Sequence, residues 1–478
     1  MGDDSARQTD LVVIGAGPGG YTAAFAAADR GMKVLLVDKD EQPGGVCLNR
    51  GCIPSKTLLQ VAKLIHEARQ ADAWGLRFAA PQIDLAAIRR WKDEVVARNA
   101  TGIRQLAKAR GVELIRAWAR LPDSTTLLLS STPGGETDLG RVAFKHAILA
   151  TGSRPAVVRA LDIGSPRVMD STSALEVPEI PASLLVIGGG YIGLELGTVY
   201  AALGSQVTVV EMTEGLLPGA DRDLVRVLQA RLKKTFGQIL LGTTVIEMKD
   251  TGTGVQVRLE AGSGPPTEQT FERVLVTVGR VPNSQGLGLE NTRVKVGGRG
   301  FVEVDDRQRT ADEHILAIGD VAGEPMLAHK ASRQAKVGVE VLAGEPAVFD
   351  PRAIPAVVFT DPEVAWAGLT EAQAAQRGIS VQVAKFPWAA SGRATAMGRN
   401  DGLTKIIVAP DSRRVLGVGI VGVGAGEMIA EVVLAIEMGA AAQDLALSIH
   451  AHPTLSETVG EAAELAFGTA THVYRPPR

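Results

Sequence analysis

Short apolar runs rich in valine, isoleucine and leucine recur along the chain, and several of them end at a glycine. Residues 11–14 and 184–187 are two such runs, and each leads through a glycine cluster into a segment rich in alanine or leucine. A short apolar run bounded by glycine is typical of a buried strand, and the longer segment after it is typical of a helix. The pattern therefore predicts strand–turn–helix units of an α/β protein.

Two of these units form an internal repeat. The first contains GAGPGG from Gly15 and the second contains GGGYIG from Gly188, so that both carry GxGxxG. Each unit continues to a second apolar run that ends in an acid, Asp38 or Glu211, 23 positions after the first glycine in both copies. Such glycines let backbone amides approach a pyrophosphate at a helix N-terminus, and the acid accepts hydrogen bonds from ribose hydroxyls. The repeat predicts two dinucleotide-binding sites.

The order of the segments predicts that one nucleotide-binding domain is inserted into another. Strand-like runs that end at Gly152 and Gly279 flank the second unit, and a further run leads into Asp320. We therefore expect an α/β fold with two Rossmann-like dinucleotide-binding domains and a C-terminal α+β domain without a glycine fingerprint. The expected boundaries are residues 1–152 and 281–350 for the first domain, 153–280 for the inserted domain and 351–478 for the third.

Composition narrows the classes of protein to which the chain can belong. Its 478 residues include 50 basic and 53 acidic side chains, which argues against a nucleic-acid-binding protein. Two cysteines exclude a disulfide-rich scaffold and a four-cysteine zinc site, and we expect no metal. The apolar residues 11–28 and 183–210 are interrupted by glycine clusters, so they predict strand, turn and helix rather than membrane spans. The expected location is the cytoplasm.

The two cysteines of the chain, Cys47 and Cys52, lie five positions apart in the segment GGVCLNRGCIPSK. Five residues of an ideal helix rise about 7.5 Å, beyond the usual reach of a disulfide, so the pair can close only where the helix is distorted. Gly51 and Pro54 favour such a distortion. Because a strained disulfide is easily reduced, the spacing predicts a catalytic dithiol rather than a structural crosslink.

The cysteine segment resembles the active site of the flavin disulfide reductases, the class I pyridine nucleotide-disulfide oxidoreductases. The resemblance covers nearly the whole chain, because both fingerprints, TVGRVPN from Thr277, IGD at 318–320, MLAHK at 326–330 and HAHPT from His450 occur in the family's order. The variant CLNRGCIPSK is most similar to the dihydrolipoyl dehydrogenases. The resemblance implies oxidation of protein-bound dihydrolipoamide to lipoamide, with FAD as the bound cofactor and NAD+ as the acceptor.

The resemblance also implies roles for single residues. Cys47 would exchange with the substrate, and Cys52 would pass electrons to the flavin. Lys56 would lie near the flavin and pair with Glu195. The residues implied to bind FAD are Gly15, Gly17, Gly20, Asp38, Lys39, Lys56, Ala119, Thr151, Gly152, Asp320, Leu327 and Ala328. Those implied to bind NAD are Gly188, Gly190, Tyr191, Ile192, Gly193, Glu211, Val245, Gly279 and Arg280.

A base is expected near the cysteines, because thiol exchange requires a thiolate. His450 and His452 stand in the motif HAHPTLSE, and Glu457 follows His452 by five residues. A carboxylate that accepts one ring N–H leaves the other ring nitrogen to act as a base, and this reasoning leaves both histidines open. In the family the second histidine is the base, and it acts on the flavin centre of the partner subunit. The resemblance thus implies His452 with Glu457, in a homodimer with shared active sites.

The acid of the second fingerprint favours NAD over NADP. The Glu211 carboxylate would repel a 2′-phosphate, and no arginine follows it before Arg222.

Two other functions stay open. One is another NAD(P)H-linked disulfide reductase, because Tyr191 resembles the flavin gate of glutathione reductase. The other is a mainly structural docking subunit of a multienzyme complex.

Arg50 lies between the two cysteines, where relatives often carry valine. A cation at this position could lower the pKa of a thiol and shift the redox balance of the pair, whereas a solvated arginine would do neither.

The sequence also leaves the lipoylated partner open. A 2-oxo acid dehydrogenase complex, the glycine cleavage system and another lipoate-carrying system are the alternatives.

Overall fold

The computed structural model describes residues 7–135, 138–262 and 264–474. The strands are β1 (Arg7–Ile14), β2 (Val34–Asp38), β3 (Glu113–Arg116), β4 (Trp118–Arg120), β5 (Thr126–Ser130), β6 (Gly140–Leu149), β7 (Ser153–Pro155), β8 (Val168–Met169), β9 (Ser183–Ile187), β10 (Gln206–Glu211), β11 (Gln238–Leu241), β12 (Thr243–Asp250), β13 (Val255–Ala261), β14 (Thr267–Phe271), β15 (Arg273–Val276), β16 (Arg280–Pro282), β17 (Ile315–Ala317), β18 (Ala356–Val358), β19 (Glu363–Gly368), β20 (Gln382–Pro387), β21 (Leu403–Val408) and β22 (Val415–Gly422). The helices are α1 (Pro18–Ala28), α2 (Gly45–Arg50), α3 (Cys52–Gln70), α4 (Leu85–Ala109), α5 (Ser171–Leu175), α6 (Tyr191–Leu203), α7 (Arg222–Thr235), α8 (Ala328–Leu342), α9 (Glu371–Gln376), α10 (Gly392–Ala396), α11 (Ala425–Met438), α12 (Ala442–Leu447) and α13 (Glu457–Leu465).

The described chain divides into two compact units. The first unit runs to Leu58 and continues with Asp84–Ala156 and Gly279–Asp350, and the second contains Leu59–Ile83, Val157–Val278 and the residues from Pro351 onward. The second unit therefore holds both the expected inserted domain and the expected third domain. The division into three domains stays a prediction.

A parallel sheet with buried faces forms the core of the first unit. Its strands follow the order β3-β2-β1-β6, β17 also pairs with β6 in parallel, and β5 and β4 extend the sheet on the β6 side. Leu11 and Val13 pack against alanines of α1 and α8, whereas Val12 and Ile14 pack on the opposite face. Burial of both faces explains why the first strand is continuously apolar rather than alternating.

The second unit contains three sheets. The parallel sheet has the order β11-β10-β9-β15-β8, and the strands β12-β13-β14 form a three-stranded antiparallel sheet. The third sheet is antiparallel with the order β18-β19-β22-β21-β20, and helices α11 and α13 pack against it. Its core includes the buried Trp388, whose indole N–H donates to Thr404 Oγ1 at 2.9 Å. These sheets confirm the expected α/β class with two Rossmann-like parallel sheets and a C-terminal α+β portion.

The two long apolar stretches form the strand–turn–helix units that the glycines predict. Residues 11–28 run from β1 through a glycine turn into α1, and residues 183–210 comprise β9, α6 and most of β10. No helix among the described residues has the length and apolar character needed to span a membrane.

A buried lysine holds together three acidic side chains of the second unit. The Lys405 side chain on β21 is fully buried, and its Nζ lies 2.6 Å from Asp221 Oδ2, 2.8 Å from Asp223 Oδ1 and 2.9 Å from Glu371 Oε1. Lys385 adds a second ammonium 2.6 Å from Asp223 Oδ2. The three carboxylates are as close together as metal ligands would be, but lysine ammoniums lie among them.

Replacement of Lys405 by methionine should destabilise the second unit. Removing one partner of a buried ion pair leaves charged oxygens without compensation, which typically costs about 3–5 kcal/mol. We expect a lower urea midpoint for Lys405→Met than for Lys385→Met, because the Lys385 side chain is 38% exposed. Equal midpoints for the two variants, measured by circular dichroism, would contradict this assignment.

The same cluster should contribute to acid stability. Burial alone would raise the pKa of Asp223, but the ammoniums of Lys385 and Lys405 outweigh it and hold that pKa at about 2, below the ordinary 3.8. Since the folded-state pKa is lowered, this stabilisation is present above the ordinary value and is lost as the pH falls toward 2. Lys405→Met should therefore flatten the dependence of the urea midpoint on pH in that window.

Candidate active site

Close backbone packing explains the glycines of the first fingerprint. Gly15 follows β1 with φ of +105°, and a Cβ at this position would lie 2.3 Å from the Ala150 carbonyl oxygen. A Cβ at Gly20 would lie 1.7 Å from the Gly15 carbonyl oxygen. Gly17 caps α1, whose first residue is Pro18. The result is a helix N-terminus that backbone atoms surround closely, which is the arrangement that accepts a pyrophosphate.

Asp38 closes this turn at the end of β2. Its Oδ2 accepts a hydrogen bond from the Ala16 N–H at 2.5 Å, and its Oδ1 accepts one from the Asp40 N–H at 2.9 Å. Burial raises the pKa of Asp38, and the two backbone donors oppose that effect. Lys39 follows it, with its Nζ 2.9 Å from Asp40 Oδ1 and 5.6 Å from the centre of the Trp118 ring. The acid is thus held at the mouth of the glycine turn.

Asp320 belongs to a polar cluster of the first unit that the sequence did not reveal. Ser153 Oγ donates to Asp320 Oδ2 at 2.5 Å. Arg280 Nε in turn donates to Ser153 Oγ at 2.8 Å, and its Nη2 donates to the Ser153 carbonyl oxygen at 2.8 Å. Arg280 and the neighbouring Gly279 belong to the first unit, whereas the glycines of the second fingerprint belong to the second. Ser153 carries no motif of its own and could be found only from the fold.

Thr151 and Gly152 lie where the chain leaves β6. Thr151 Oγ1 donates to the Asn283 carbonyl oxygen at 2.7 Å, and Asn283 Nδ2 donates to the Thr151 carbonyl oxygen at 2.9 Å. Gly152 has φ of +68°. Ala119 lies on β4 at the far end of the same sheet. The reciprocal hydrogen bonds of Thr151 and Asn283 join the segment after β6 to the segment after β16. Asn283 is part of a family motif, but no role is predicted for it.

Lys330 supports the loop that carries Asp320. It lies in the first turn of α8, two residues after Ala328, and its Nζ donates to the Gly323 carbonyl oxygen at 2.5 Å. Burial lowers the pKa of Lys330 to about 8, and the Asp320 carboxylate opposes this effect. The motif MLAHK contained the residue, but only the structure shows that its ammonium holds a backbone carbonyl.

The helix breaks between the two cysteines, as the spacing predicts. Cys47 lies in α2, Gly51 ends that helix with φ of −149° and ψ of −112°, and Cys52 begins α3. A Cβ at Gly51 would lie 2.8 Å from the Val46 carbonyl oxygen, so a side chain there would collide with backbone. The break brings the two thiols into hydrogen-bond contact.

The dithiol segment is attached to the first fingerprint by backbone contacts. The Gly44 N–H donates to the Ala16 carbonyl oxygen at 2.8 Å. Gly45 has φ of +60°, and a Cβ there would lie 2.7 Å from Gly17 Cα. The cysteines consequently lie in the same unit as the turn that is expected to bind a dinucleotide. Gly44 and Gly45, just before Cys47, are the residues that contact this turn.

The charge of Lys56, rather than that of Arg50, acts on Cys47. The hydrogen bond with Cys52 and burial raise the pKa of the Cys47 thiol, whereas the Lys56 charge lowers it. Arg50 forms an ion pair with Asp40, which offsets the arginine charge. The proposed effect of Arg50 on the thiols therefore has no support from its contacts.

The second fingerprint repeats the geometry of the first. Gly188 follows β9 with φ of +108°, and a Cβ at Gly193 would lie 2.4 Å from the Gly188 carbonyl oxygen. Gly190 caps α6, which begins with Tyr191 and Ile192. The Tyr191 side chain is 40% exposed. Val245 is buried on β12, outside the parallel sheet.

Glu211 is buried and already oriented by donors of its own unit. Its Oε2 accepts from the Gly189 N–H at 2.7 Å, and its Oε1 accepts from the Thr213 N–H at 2.7 Å. Arg222, the nearest following arginine, donates to the carbonyl oxygens of residues 216, 217 and 220 at 2.6–2.7 Å. Its guanidinium donors are thereby used by backbone, so this loop offers an acid to a ribose and no arginine to a 2′-phosphate.

Glu195 is a buried carboxylate in the middle of α6. It is 3% exposed, and its Oε1 accepts a hydrogen bond from the Phe359 N–H at 2.9 Å. Glu195 belongs to the second unit and Lys56 to the first. The Phe359 amide thus fixes one oxygen of Glu195. Glu195 was named by the family resemblance, whereas Phe359 belongs to no motif.

His452 and Glu457 form a hydrogen-bonded pair in the second unit. Glu457 Oε1 lies 2.8 Å from His452 Nδ1, and Glu457 Oε2 accepts from the Thr454 N–H at 2.7 Å. Burial raises the pKa of Glu457, but the Thr454 amide and His452 outweigh burial and lower it. The side chain of His452 is 77% exposed. An ionised carboxylate on Nδ1 leaves Nε2 directed at solvent, as a base requires.

His450 has a carboxylate partner as well but lies in a different environment. Its Nε2 is 2.7 Å from Glu431 Oε1, and its side chain is 12% exposed. A Cβ at Gly460 would lie 3.0 Å from His450 Nδ1, which shows how tightly α13 packs on this ring. The contacts suit His450 to packing and His452 to chemistry.

Comparison with known proteins agrees with this geometry. Residues 9–335 match the family model described as pyridine nucleotide-disulphide oxidoreductase, and residues 354–463 match its dimerisation domain. The chain belongs to the pyridine nucleotide-disulphide oxidoreductases. It is 47% identical to a dihydrolipoyl dehydrogenase of Haemophilus influenzae over 97% of this chain and 96% of the relative. A dihydrolipoyl dehydrogenase of Haloferax volcanii is 45% identical over 98% of each chain.

Solved structures resemble the chain over almost its full length. LpdA from Mycobacterium tuberculosis has a TM-score of 0.87 and 27% identity, with 95% of this chain and 99% of that chain covered. The HOCl-induced flavoprotein disulfide reductase RclA from Escherichia coli has a TM-score of 0.84 and 29% identity, with coverage of 95% and 99%. These likenesses confirm the predicted fold and the identification of an oxidoreductase.

The family uses FAD and NAD(H), which confirms the two cofactors that the resemblance implies. The residues present fit FAD, because the close approaches at Gly15 and Gly45 leave no room for a Cβ beside the α1 N-terminus.

The match to the dimerisation domain supports a homodimer. Within it, several apolar side chains are more than half exposed, as expected of a surface that another subunit covers; they are Leu434, Met438 and Leu447, together with the fully exposed Ile449.

Lys56→Gln should raise the pKa of the Cys47 thiol, because the variant removes the charge that lowers it. Arg50→Gln removes the same charge from a residue that Asp40 already neutralises, and serves as the matched control. The measurement is the pH dependence of iodoacetamide alkylation in a Cys52→Ser background, where Cys47 is the remaining cysteine. A larger shift in Arg50→Gln than in Lys56→Gln would contradict the charge assignment.

Glu211→Gln should raise the KM for NAD+ by about tenfold. The substitution weakens a charged acceptor for ribose hydroxyls, and a hydrogen bond to a charged group contributes about 1.5–3 kcal/mol. NADPH should remain a poor partner in the variant, because the Arg222 donors stay bound to backbone. Glu214→Gln is the control, since Glu214 is an exposed acid of the same loop. A gain of NADPH use equal to that of NADH would overturn this account of specificity.

Proposed function

We propose that the protein oxidises the dihydrolipoyl group of a partner protein to the lipoyl disulfide, with NAD+ as the final electron acceptor. The observation that carries the proposal is the dithiol at the helix break. Cys47 and Cys52 flank Gly51, and the Gly44 N–H ties this segment to the first glycine turn. A cysteine pair beside a dinucleotide turn can take two electrons from a substrate dithiol by thiol–disulfide exchange and deliver them to a flavin. Relatives at 41–47% identity named dihydrolipoyl dehydrogenase favour the lipoyl substrate.

Two sets of residues would hold the cofactors. The first glycine turn offers backbone donors to the pyrophosphate of FAD, Asp38 offers acceptors to its ribose, and Asp320 offers acceptors to its ribityl chain. The proposed FAD residues are Gly15, Gly17, Gly20, Asp38, Lys39, Lys56, Ala119, Thr151, Gly152, Asp320, Leu327 and Ala328. The proposed NAD residues are Gly188, Gly190, Tyr191, Ile192, Gly193, Glu211, Val245, Gly279 and Arg280. The bound flavin would supply two-electron transfer between the dithiol and NAD+.

The cysteines would act in sequence. The oxidised enzyme holds a Cys47–Cys52 disulfide, and a substrate thiolate attacks Cys47 to form a mixed disulfide and to release Cys52 as a thiolate. The second substrate thiol then displaces Cys47, so that the substrate leaves as a cyclic disulfide and the enzyme holds the dithiol. Two electrons thus pass from substrate sulfur to enzyme sulfur. The Lys56 charge favours the thiolate of Cys47 in this exchange.

His452 would supply the base for the attacking substrate thiol, and the proton of the second substrate thiol would pass to the Cys47 sulfur that it displaces. Glu457 binds Nδ1 and thereby fixes the tautomer and the orientation of the ring. The exposed Nε2 takes a proton from the attacking thiol, and the positive charge that develops on the imidazole is stabilised by the Glu457 carboxylate. Glu195, held by the Phe359 amide, would complete the machinery as a buried charge of the second unit.

The active sites would be shared within the homodimer, so that His452 serves the dithiol of the partner subunit. The substrate arm would come from a lipoylated protein of a 2-oxo acid dehydrogenase complex, of the glycine cleavage system or of another lipoate-carrying system. A cytoplasmic location is part of the same proposal, and a chain of 478 residues with two cysteines is compatible with it.

A second function is a disulfide reductase that works in the opposite direction, as the name of RclA suggests for that relative. The exposed Tyr191 at the start of α6 is compatible with it. The Glu211 carboxylate and the backbone-bound Arg222 favour NAD+, and therefore oxidation of dihydrolipoamide, over an NADPH-driven reaction. A docking role alone would leave the dithiol and the His452–Glu457 pair without a use.

The FAD-loaded dimer should form NADH from dihydrolipoamide and NAD+. His452→Gln should slow this reaction by about 10²- to 10⁴-fold, because the variant lacks the general base. Absorbance at 340 nm under anaerobic conditions measures both rates. Absence of NADH formation by the unaltered dimer would refute the proposed function.

The control for His452→Gln is a reaction that needs no base for a thiol. Reduction of ferricyanide by NADH uses the nucleotide and the flavin but not the exchange with substrate, so the variant should retain it. If ferricyanide reduction falls in parallel with dihydrolipoamide oxidation, His452 has a structural role instead.

A further inference from the structure

A cavity of about 370 Å³ lies in the second unit, outside both glycine turns. The second half of α3, the last turn of α6 and the last turns of α7 form its walls. Its polar lining residues are His66, Arg69, Gln70, Arg231, Lys234 and Thr235. None of them has a role in the proposed reaction.

The charges around this cavity have one sign. Arg69, Arg231 and Lys234 line it, and among the described residues no aspartate or glutamate does. The Lys234 ammonium makes no hydrogen bond or ion pair with any described residue, and the Arg69 guanidinium donates only to the Ala202 carbonyl oxygen, at 3.4 Å. A concave wall that carries several cations and no carboxylate concentrates a positive potential and attracts an anion.

Arg231 contributes a donor that the protein leaves unused. Its Nε is buried and has no hydrogen-bond partner among the described residues. The nearest acid, Asp361, lies 3.4 Å from Arg231 Nη2 and also binds Arg399. One carboxylate therefore serves two guanidiniums. A buried donor without an acceptor destabilises the folded protein, and an oxygen of a bound anion would remove that cost.

His66 adds a neutral donor to the cationic wall. Burial lowers the pKa of His66; the Asp361 carboxylate opposes this effect, and the charges of Arg231, Arg69 and Arg399 add to it. Its ring nitrogens make no hydrogen bond with any residue that the structure describes. A neutral imidazole can donate one N–H to an anionic oxygen.

A second cavity of about 670 Å³ adjoins the first and shares Arg231 and Lys234 with it. Its wall adds Arg226 and Arg399 but also the carboxylates of Asp223 and Asp401. The shared wall is thus cationic, whereas the far part of the second cavity mixes both signs. Such a gradient suits a molecule with an anionic head and a hydroxyl-bearing body.

We propose that the two cavities form a binding site for a phosphoanion, with the phosphate in the smaller cavity at Arg69, Arg231 and Lys234. Guanidinium groups bind phosphate oxygens through paired N–H donors, and a lysine adds a point charge. Three cations together match a multiply charged group better than a single carboxylate. The ligand is either free inorganic phosphate or pyrophosphate, or a phosphate ester whose organic part enters the larger cavity.

Calorimetric titration of the FAD-loaded dimer tests this site with two probes, pyrophosphate and ribose 5-phosphate. Excess NAD+ keeps the nucleotide site occupied, and potassium chloride holds the ionic strength constant. We expect binding of at least one probe, and a loss of affinity of tenfold or more in Arg69→Gln/Lys234→Gln. Tighter binding of ribose 5-phosphate identifies an ester as the ligand, and tighter binding of pyrophosphate identifies the inorganic anion.

Lys63→Gln/Lys233→Gln is the matched control. It removes the same two charges from the same two helices, but neither lysine lines the cavity. The control should bind the probes like the unaltered protein, and both variants should keep the dihydrolipoamide reaction. Absence of binding to the unaltered dimer, or an equal loss in both variants, overturns the proposed site while leaving the proposed function intact.

Discussion

The interruption of the helix at Gly51 is the constraint on which the chemistry depends. A continuous helix would hold two residues five positions apart about 7.5 Å apart along its axis, with their side chains on different faces. The break ends α2 and restarts the chain as α3, and the thiols come into contact. A side chain at Gly51 would meet the Val46 carbonyl oxygen, so glycine is required there by packing. Everything that a redox pair can do in this protein follows from that turn.

Features that arise from local backbone packing could be predicted from the sequence. Gly15 and Gly188 are glycines because a carbonyl oxygen lies within 2.6 Å of the position that a Cβ would occupy. The acids at the ends of β2 and β10 are fixed by the same turns, so their spacing repeats. The apolar runs, the helix after each turn and the distortion between the cysteines follow from steric rules that a sequence pattern retains.

Features that depend on contacts between distant parts of the chain could not be predicted. Ser153 and Asp320 are 167 positions apart, and Glu195 and Phe359 are 164 positions apart. Lys405 reads in the sequence as one more residue of a strand, yet it is the fully buried centre of an acidic cluster. Neither the periodicity nor any motif encodes such partners. The pairing of Arg50 with Asp40 is a similar case. The position of Arg50 alone suggested an effect on the pKa of the thiols, but the Asp40 carboxylate offsets the arginine charge.

The fixed carboxylate of Glu211 has a consequence for the thermodynamics of cofactor binding. Two backbone amides and the Thr213 hydroxyl already hold its oxygens, so the side chain has a single rotamer before any nucleotide arrives. A glutamate that was mobile in the empty protein would lose rotamer freedom on association, at a cost of the order of 1 kcal/mol. Here folding has removed that freedom beforehand. The carboxylate therefore adds little to the entropy lost on association, and its preorganisation strengthens the binding of the dinucleotide.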